Sequence, residues 1–76
     1  MDAISKAIGI FGSQAALANA IGTSQTAVSL FLQGRKRPSA ETAMRIEAAT
    51  NGAIKAEEIR PDVPWHVIRA NQGRAA

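Results

Sequence analysis

Residues 14–33 read QAALANAIGTSQTAVSLFLQ, and the fold is decided by this stretch. Leu17, Ala18 and Ile21 share one face of a helix that Gly22 breaks. Ser24 caps a following helix that runs to about Gln33, with Val28, Phe31 and Leu32 on one side and Gly34 as its stop. Ala18 sits where the two helices cross at close range, so a larger side chain would force them apart. Gly22 lies in the tight turn, where a positive φ is expected and only glycine adopts it without cost. Leu17, Ile21, Val28 and Phe31 make the apolar wedge between the helices. An ordinary helical hairpin shares this apolar spacing. The combined offsets of Ala18, Gly22, Val28 and Phe31 instead match the two-helix unit whose second helix enters the DNA major groove.

The outward face of that second helix follows from its pitch of about 100° per residue. With Val28 at the core, Ser24, Phe31 and Leu32 fall near it. Thr26, Leu30 and Gln33 fall opposite, Ser29 flanks them, and Gln25 points out of the first turn. Amides, hydroxyls and one apolar side chain, without charge, are an unusual choice for a solvated helix face. They suit base edges: Gln pairs bidentately with adenine, Ser and Thr adapt, and Leu meets a thymine methyl. The expected base readers are therefore Gln25, Thr26, Ser29, Leu30 and Gln33, while Ser24 is assigned to capping. No charge falls between Lys6 and Arg35, and then Arg35, Lys36 and Arg37 arrive together. Such a run is by default a solvated loop. Directly after a reading helix it becomes a candidate phosphate grip, joined by Gln14 at the start of the preceding helix.

Working outward, Asp2 caps a first helix whose Ile4, Ile8 and Phe11 lie on one face, and Gly12-Ser13 ends it. Pro38 makes a loop of the basic run. Ser39 caps a helix through about Thr50, with Ala43 and Ile46 inward and Asn51-Gly52 closing it. A short helix over Ala56–Arg60 ends at Pro61, and Pro64 opens a last turn holding Trp65 and Ile68. Trp65 is either the anchor of this C-terminal segment or a contact for a second chain. Whether residues 53–70 are helical or pair as strands stays open. The pattern predicts an all-α fold, a compact bundle of four to five short helices. One helix-turn-helix domain spans residues 1–70, and a flexible tail covers 71–76.

Composition agrees and excludes alternatives. The chain has 76 residues, so it supports one small core. Its hydrophobic fraction is 46%, with one Trp, two Phe and no Tyr, which favours short close-packed helices. A net charge of +3 permits a nucleic-acid partner. The absence of cysteine removes disulfides and thiolate metal sites, and His66 stands alone, so no metal is expected. Glu57 and Glu58 are adjacent and project in different directions, and no nucleophile triad or phosphate-cradling loop is present. No enzyme activity, cofactor or small-molecule substrate is therefore expected. The N-terminus lacks an apolar signal core, and the uncharged stretch from Ala7 to Gly34 is too polar to span a membrane. A cytoplasmic location is the expectation.

The pattern Q-x-x-L-A-x-x-x-G at Gln14–Gly22, followed by S-Q-x-x-V-S-x-F-x-x-G at Ser24–Gly34, resembles the lambda-repressor-like helix-turn-helix. The continuation R-P-S-A-E-x-x-x-x-I-E-x-x-T at Arg37–Thr50, with E-I-R-P-D at Glu58–Asp62, resembles a narrower group: Cro-type phage repressors and the related YdaS-like antitoxins. The resemblance covers roughly residues 3–68. It departs from the pattern at Thr23, where an apolar residue is usual, and at Lys55, where a Ser or Thr cap is expected. It implies a bacterial or phage-encoded, sequence-specific repressor that binds a palindromic operator as a homodimer. An antitoxin that holds a toxin partner and autoregulates its operon is the alternative. If all three cations of each subunit neutralise a phosphate, the dimer's salt slope is roughly −5.

Overall fold

The computed structural model describes residues 2–74. Six helices follow one another: α1 (Ala3–Phe11), α2 (Gln14–Ile21), α3 (Gln25–Leu32), α4 (Ala40–Ala49), α5 (Ala56–Ile59) and α6 (Trp65–Arg74). No strand occurs among the described residues, so the question over residues 53–70 resolves as helical. The sequence reading began a tail at residue 71. The backbone of residues 71–74 continues α6, and residues 75–76 lie outside the described residues.

The starts are set by short polar side chains that satisfy free amides. Asp2 Oδ1 accepts from Ile4 N at 3.1 Å. Ser13, Ser24 and Ser39 accept from the amides of Ala16, Ala27 and Thr42 at 3.0, 3.0 and 3.1 Å. Each such cap contributes about 1 kcal/mol. The fifth helix solves its entry differently, because Lys55 offers no acceptor. Glu58 Oε2 reaches back to Lys55 N at 2.9 Å, and Glu47 Oε1 takes Ala56 N at 2.8 Å. Ser24 is exposed at this cap rather than facing the core, because the cap geometry keeps its hydroxyl over the helix end.

Two apolar clusters hold the helices. The first joins α1, α2, α3 and α4 through Ile4, Ala7, Leu17, Ile21, Val28 and Ile46. Ala7 is fully buried at the centre of α1, whereas Ile8 and Phe11 are half-buried at its margin. The second gathers Ala43, Ala56 and Trp65, and Ile59 packs against both clusters. Trp65 is 4% exposed, and its indole Nε1 donates to Arg60 O at 2.7 Å. It is therefore an internal anchor and leaves no face for a second chain. Thr50 is buried without cost, because its hydroxyl donates to Ile46 O at 2.9 Å and accepts from Ile54 N at 3.1 Å. No helix among the described residues is long and apolar enough to cross a membrane.

Candidate nucleic-acid interface

The turn between α2 and α3 is built as its residues require. Gly22 has φ 71° and ψ 36°, in the left-handed region, and its amide closes on Ala18 and Asn19 carbonyls. Thr23 N donates to Ala18 O at 2.9 Å, so the hydroxyl residue at an ordinarily apolar position keeps a backbone tie. Ala18 is buried between the helices, as a close crossing demands. Arg45 braces the turn from α4: Nη1 donates to Ile21 O at 3.3 Å and Nη2 to Glu41 Oε1 at 2.8 Å.

Rigidly held in this way, α3 turns Ala27, Val28 and Phe31 inward. Its other side, with α2's first residue and the loop beyond, encloses an open depression of about 420 Å³. The lining is Gln14, Gln25, Thr26, Ser29, Leu30, Gln33 and Arg35. Every predicted base reader is in that set, with two of the four predicted phosphate contacts. Gln25, Thr26 and Gln33 are exposed, and Ser29 and Leu30 are half-buried in the floor. Gln33 Nε2 donates to Ser29 Oγ at 3.0 Å, which orders two of the predicted readers against each other. Gln25 and Thr26 side chains make no hydrogen bond among the described residues, so their polar groups remain available. The helix is eight residues long, about 12 Å. Its diameter with side chains, about 10–12 Å, matches the width of the DNA major groove, about 12 Å.

The basic run divides. Arg35 joins the depression, whereas Lys36 and Arg37 line a separate hollow of about 270 Å³, with Asp2, Pro38, Glu58 and Ile59 among its walls. Arg37 Nη1 stands 3.6 Å from Asp62 Oδ2. Neither Arg35 nor Lys36 pairs with a carboxylate among the described residues. The sequence treats the three cations as equivalent; the structure gives each a different neighbourhood.

Several residues that shape this surface were not singled out for a role by sequence reasoning. Arg60 grips Asp62 through Nε to Oδ1 at 2.9 Å and Nη2 to Oδ2 at 2.8 Å, while its Nη1 donates to Pro38 O at 2.8 Å. This clamp ties the α5–α6 connection to the loop that carries the cations. The Arg60 guanidinium holds the Asp62 carboxyl down to about 2 and is itself raised in return. Behind it, Arg69 bridges Glu47 at 2.8 Å and Glu57 at 2.7 Å and lies 5.9 Å above the Trp65 ring. Glu47 is held below the usual carboxylate range by Arg69 first and by the Ala56 amide second. The E-I-R-P-D stretch was the available signal for the clamp, since it puts a guanidinium two residues from a carboxylate. Glu41 and Arg45 were also readable as an i, i+4 pair.

The surroundings of this site match known proteins. The model of a family described as "Bacterial toxin YdaS" matches residues 4–68. The chain is 36% identical over 64 residues to a protein of Escherichia coli (strain K12) named "Putative transcriptional regulator YdaS". That alignment covers 84% of this chain and 65% of the relative, so the chain spans about two thirds of that protein's length. It is 35% identical over 60 residues to the regulatory protein Cro of Pseudomonas phage D3, covering 79% of this chain and 82% of Cro. Among solved structures, the Cro protein from prophage element Xfaso 1 of Xylella fastidiosa strain Ann-1 superposes with a TM-score of 0.75. It shares 46% identity, over 83% of this chain and 95% of that one. These relatives are named as regulators or as Cro, and none as an enzyme.

Proposed function

As the chain belongs to the YdaS family, with Cro proteins among its relatives, we propose that it is a transcriptional regulator that reads duplex DNA with α3. The observation that carries this reading is the shared depression. Gln25, Thr26, Ser29, Leu30 and Gln33 surround one uncharged surface, with Gln14 and Arg35 at its margins. Amides and hydroxyls there offer donors and acceptors to base edges, and Leu30 offers a floor for a thymine methyl. Arg35 and the Gln14 side chain supply backbone contacts that set register without reading sequence.

One helix reads only a few base pairs. A homodimer on a palindromic operator, with half-sites about 34 Å apart, supplies the missing specificity. Arg37 already faces a carboxylate, so four loop cations per dimer, Arg35 and Lys36 of each subunit, reach phosphate freely. The slope of log K against log salt is then about −3.6 rather than about −5.4 for six. Selection of bound sequences from a random duplex pool tests the proposal. The expected result is a palindromic motif with two similar half-sites. A pool that returns no enriched motif, with a salt slope near zero, overturns it.

The family's description as a toxin favours a second reading, in which the chain's main partner is another protein. The resemblance in the sequence pointed to the opposite member of such a pair, an antitoxin. Under either, the chain co-purifies with a protein partner; a toxin shifts no native promoter fragment, whereas an antitoxin that autoregulates its operon shifts its own. The burial of Trp65 removes the side chain that the C-terminal segment would most readily have offered such a partner.

A further inference from the structure

Asp62 is placed to decide what the basic loop can do. Its carboxylate is locked by the two-point grip of Arg60, whose side chain is 18% exposed. The same guanidinium bonds Pro38 O, so the backbone immediately after Arg37 is pinned to the same clamp. Pro38 itself is buried, which leaves Arg37 little backbone freedom to swing away. Within that frame Arg37 stands 3.6 Å from the carboxylate oxygen that Arg60 Nη2 also holds. Asp2 and Glu58 add negative charge to the hollow that Arg37 and Lys36 line. Arg35, two residues earlier in the chain, lines the other depression, beside Gln25, Ser29 and Gln33.

We propose that Asp62 is a positioning residue for the phosphate grip: by holding Arg37, it limits how many loop cations duplex DNA can recruit. The inference rests on the DNA-binding reading above and deepens it. A phosphate approaching Arg37 must compete with a fixed carboxylate, and that carboxylate also repels the phosphate. Both effects reduce sequence-independent binding while leaving the base-reading depression untouched. The pair is exposed, and its net strength is therefore modest. Asp62 acts as a brake rather than a block. Holding down the sequence-independent grip lowers affinity for specific and random duplexes alike and makes binding less steeply dependent on salt.

The test measures binding of a short random-sequence duplex over a range of salt for the full chain and four variants: Asp62→Asn, Arg37→Gln, Arg35→Gln and the Asp62→Asn/Arg37→Gln double variant. Asn keeps an oxygen for Arg60, so the clamp loses its charge before its shape. The expected result for Asp62→Asn is a slope steeper by about 0.9 per subunit, with affinity at low salt rising several-fold. The double variant should lose that gain entirely. An unchanged slope in Asp62→Asn, or a gain that survives in the double variant, overturns the proposal. If Asp62→Asn does not fold, the two single arginine variants decide the matter with Asp62 intact. Arg35→Gln should flatten the slope by about 0.9 per subunit and Arg37→Gln by much less, and equal flattening overturns the proposal. Binding by the parent chain separates the two levels of failure. A parent that binds no duplex at any salt sinks the DNA-binding reading and this inference together. A parent that binds normally while the variants misbehave sinks only the role of Asp62.

Discussion

The stretch from α2 to α3 and the stretch from α4 to α6 use polar side chains in opposite ways. Residues 14–33 contain no charge, and their outward amides and hydroxyls are bonded only locally or not at all. Beyond Lys36, most charged groups are paired, Lys55 apart: every ion pair among the described residues has a member between Arg37 and Arg69. Glu47 alone takes an amide of α5 and the guanidinium of Arg69. A group committed to an internal partner holds shape and cannot read anything. A group left without one is free for a ligand, but contributes nothing to stability. The first region therefore depends on the second for its rigidity, through Arg45 at the α2–α3 turn and Arg60 at the basic loop.

The largest effect should come from breaking that dependence at its apolar root. Trp65→Ala removes the main side chain of the second cluster and leaves Arg60 O without its indole donor. Such a truncation costs about 3–5 kcal/mol, a large share of the stability of a domain this size. The melting midpoint should fall by roughly 4–8 °C for each kcal/mol. Ile59 touches both clusters, so helical signal and tertiary signal should be lost together in one transition. Two separated transitions, with α1–α3 melting at the original temperature, would show that the two regions are independent and break the comparison.

A smaller effect sharpens the contrast from the reading side. Gln25 is exposed, and its side chain has no hydrogen bond among the described residues. Gln25→Ala should leave the melting midpoint within a degree or two of the parent. At the selected operator it should cost about 1–3 kcal/mol and relax one base position. Competition binding against a random duplex checks this. An equal loss on both DNAs would make Gln25 a general contact instead of a reader.

How far these roles were legible follows from the range over which each is determined. The α2–α3 unit is local: periodicity, a glycine and a serine cap specify it within residues 14–33, and the helix pitch alone turns Gln25, Thr26, Leu30 and Gln33 outward. The depression that unites those residues with Gln14 and Arg35 was foreseeable for the same reason. What could not be read was long-range pairing. Arg60 meets Pro38 across 22 positions, and Arg69 meets Glu47 across 22. Nothing in local spacing distinguishes Arg35 from Arg37, because the difference is made by Asp62, brought alongside by the fold. Lys55 shows the same limit: its missing cap looked like a defect until Glu47 and Glu58 supplied the acceptors.

The turn itself gives an intermediate test. Gly22→Ala places a side chain at φ 71°, where an L-residue is strained, and its Cβ would lie 3.3 Å from Arg45 Nη1. The left-handed conformation costs about 1–2 kcal/mol. Displacement of Arg45 would add to this by loosening its hydrogen bond from α4 onto the end of α2. Denaturant titration should show that loss with an unchanged slope. Gly34→Ala, at φ 73° and with open space around its Cβ, is the closer control. A larger cost at Gly22 than at Gly34 measures what the Arg45 brace contributes.

Acid should produce the smallest effect, and it should come entirely from the charged region. No ionisable side chain lies between Lys6 and Arg35, so protonation has nothing to act on in α2 and α3. In α4–α6, Asp62 is held at about 2 against an ordinary 3.8, chiefly by Arg60, and Glu47 is held below its ordinary 4.5, chiefly by Arg69. A carboxyl whose folded value is depressed stabilises the fold at pH above its unfolded value. That contribution is lost as pH falls through the folded one. From these carboxyls, the melting midpoint should thus be level from neutrality to about pH 4.5 and decline from there toward pH 2. The decline should shrink in added salt, because Asp62 is exposed and its pairing is screened. Asp62→Asn should flatten the lower part of the curve, between pH 4 and 2, without changing its upper part. If that variant follows the parent curve throughout, acid sensitivity resides elsewhere, and the clamp's charge contributes nothing to holding the loop in place.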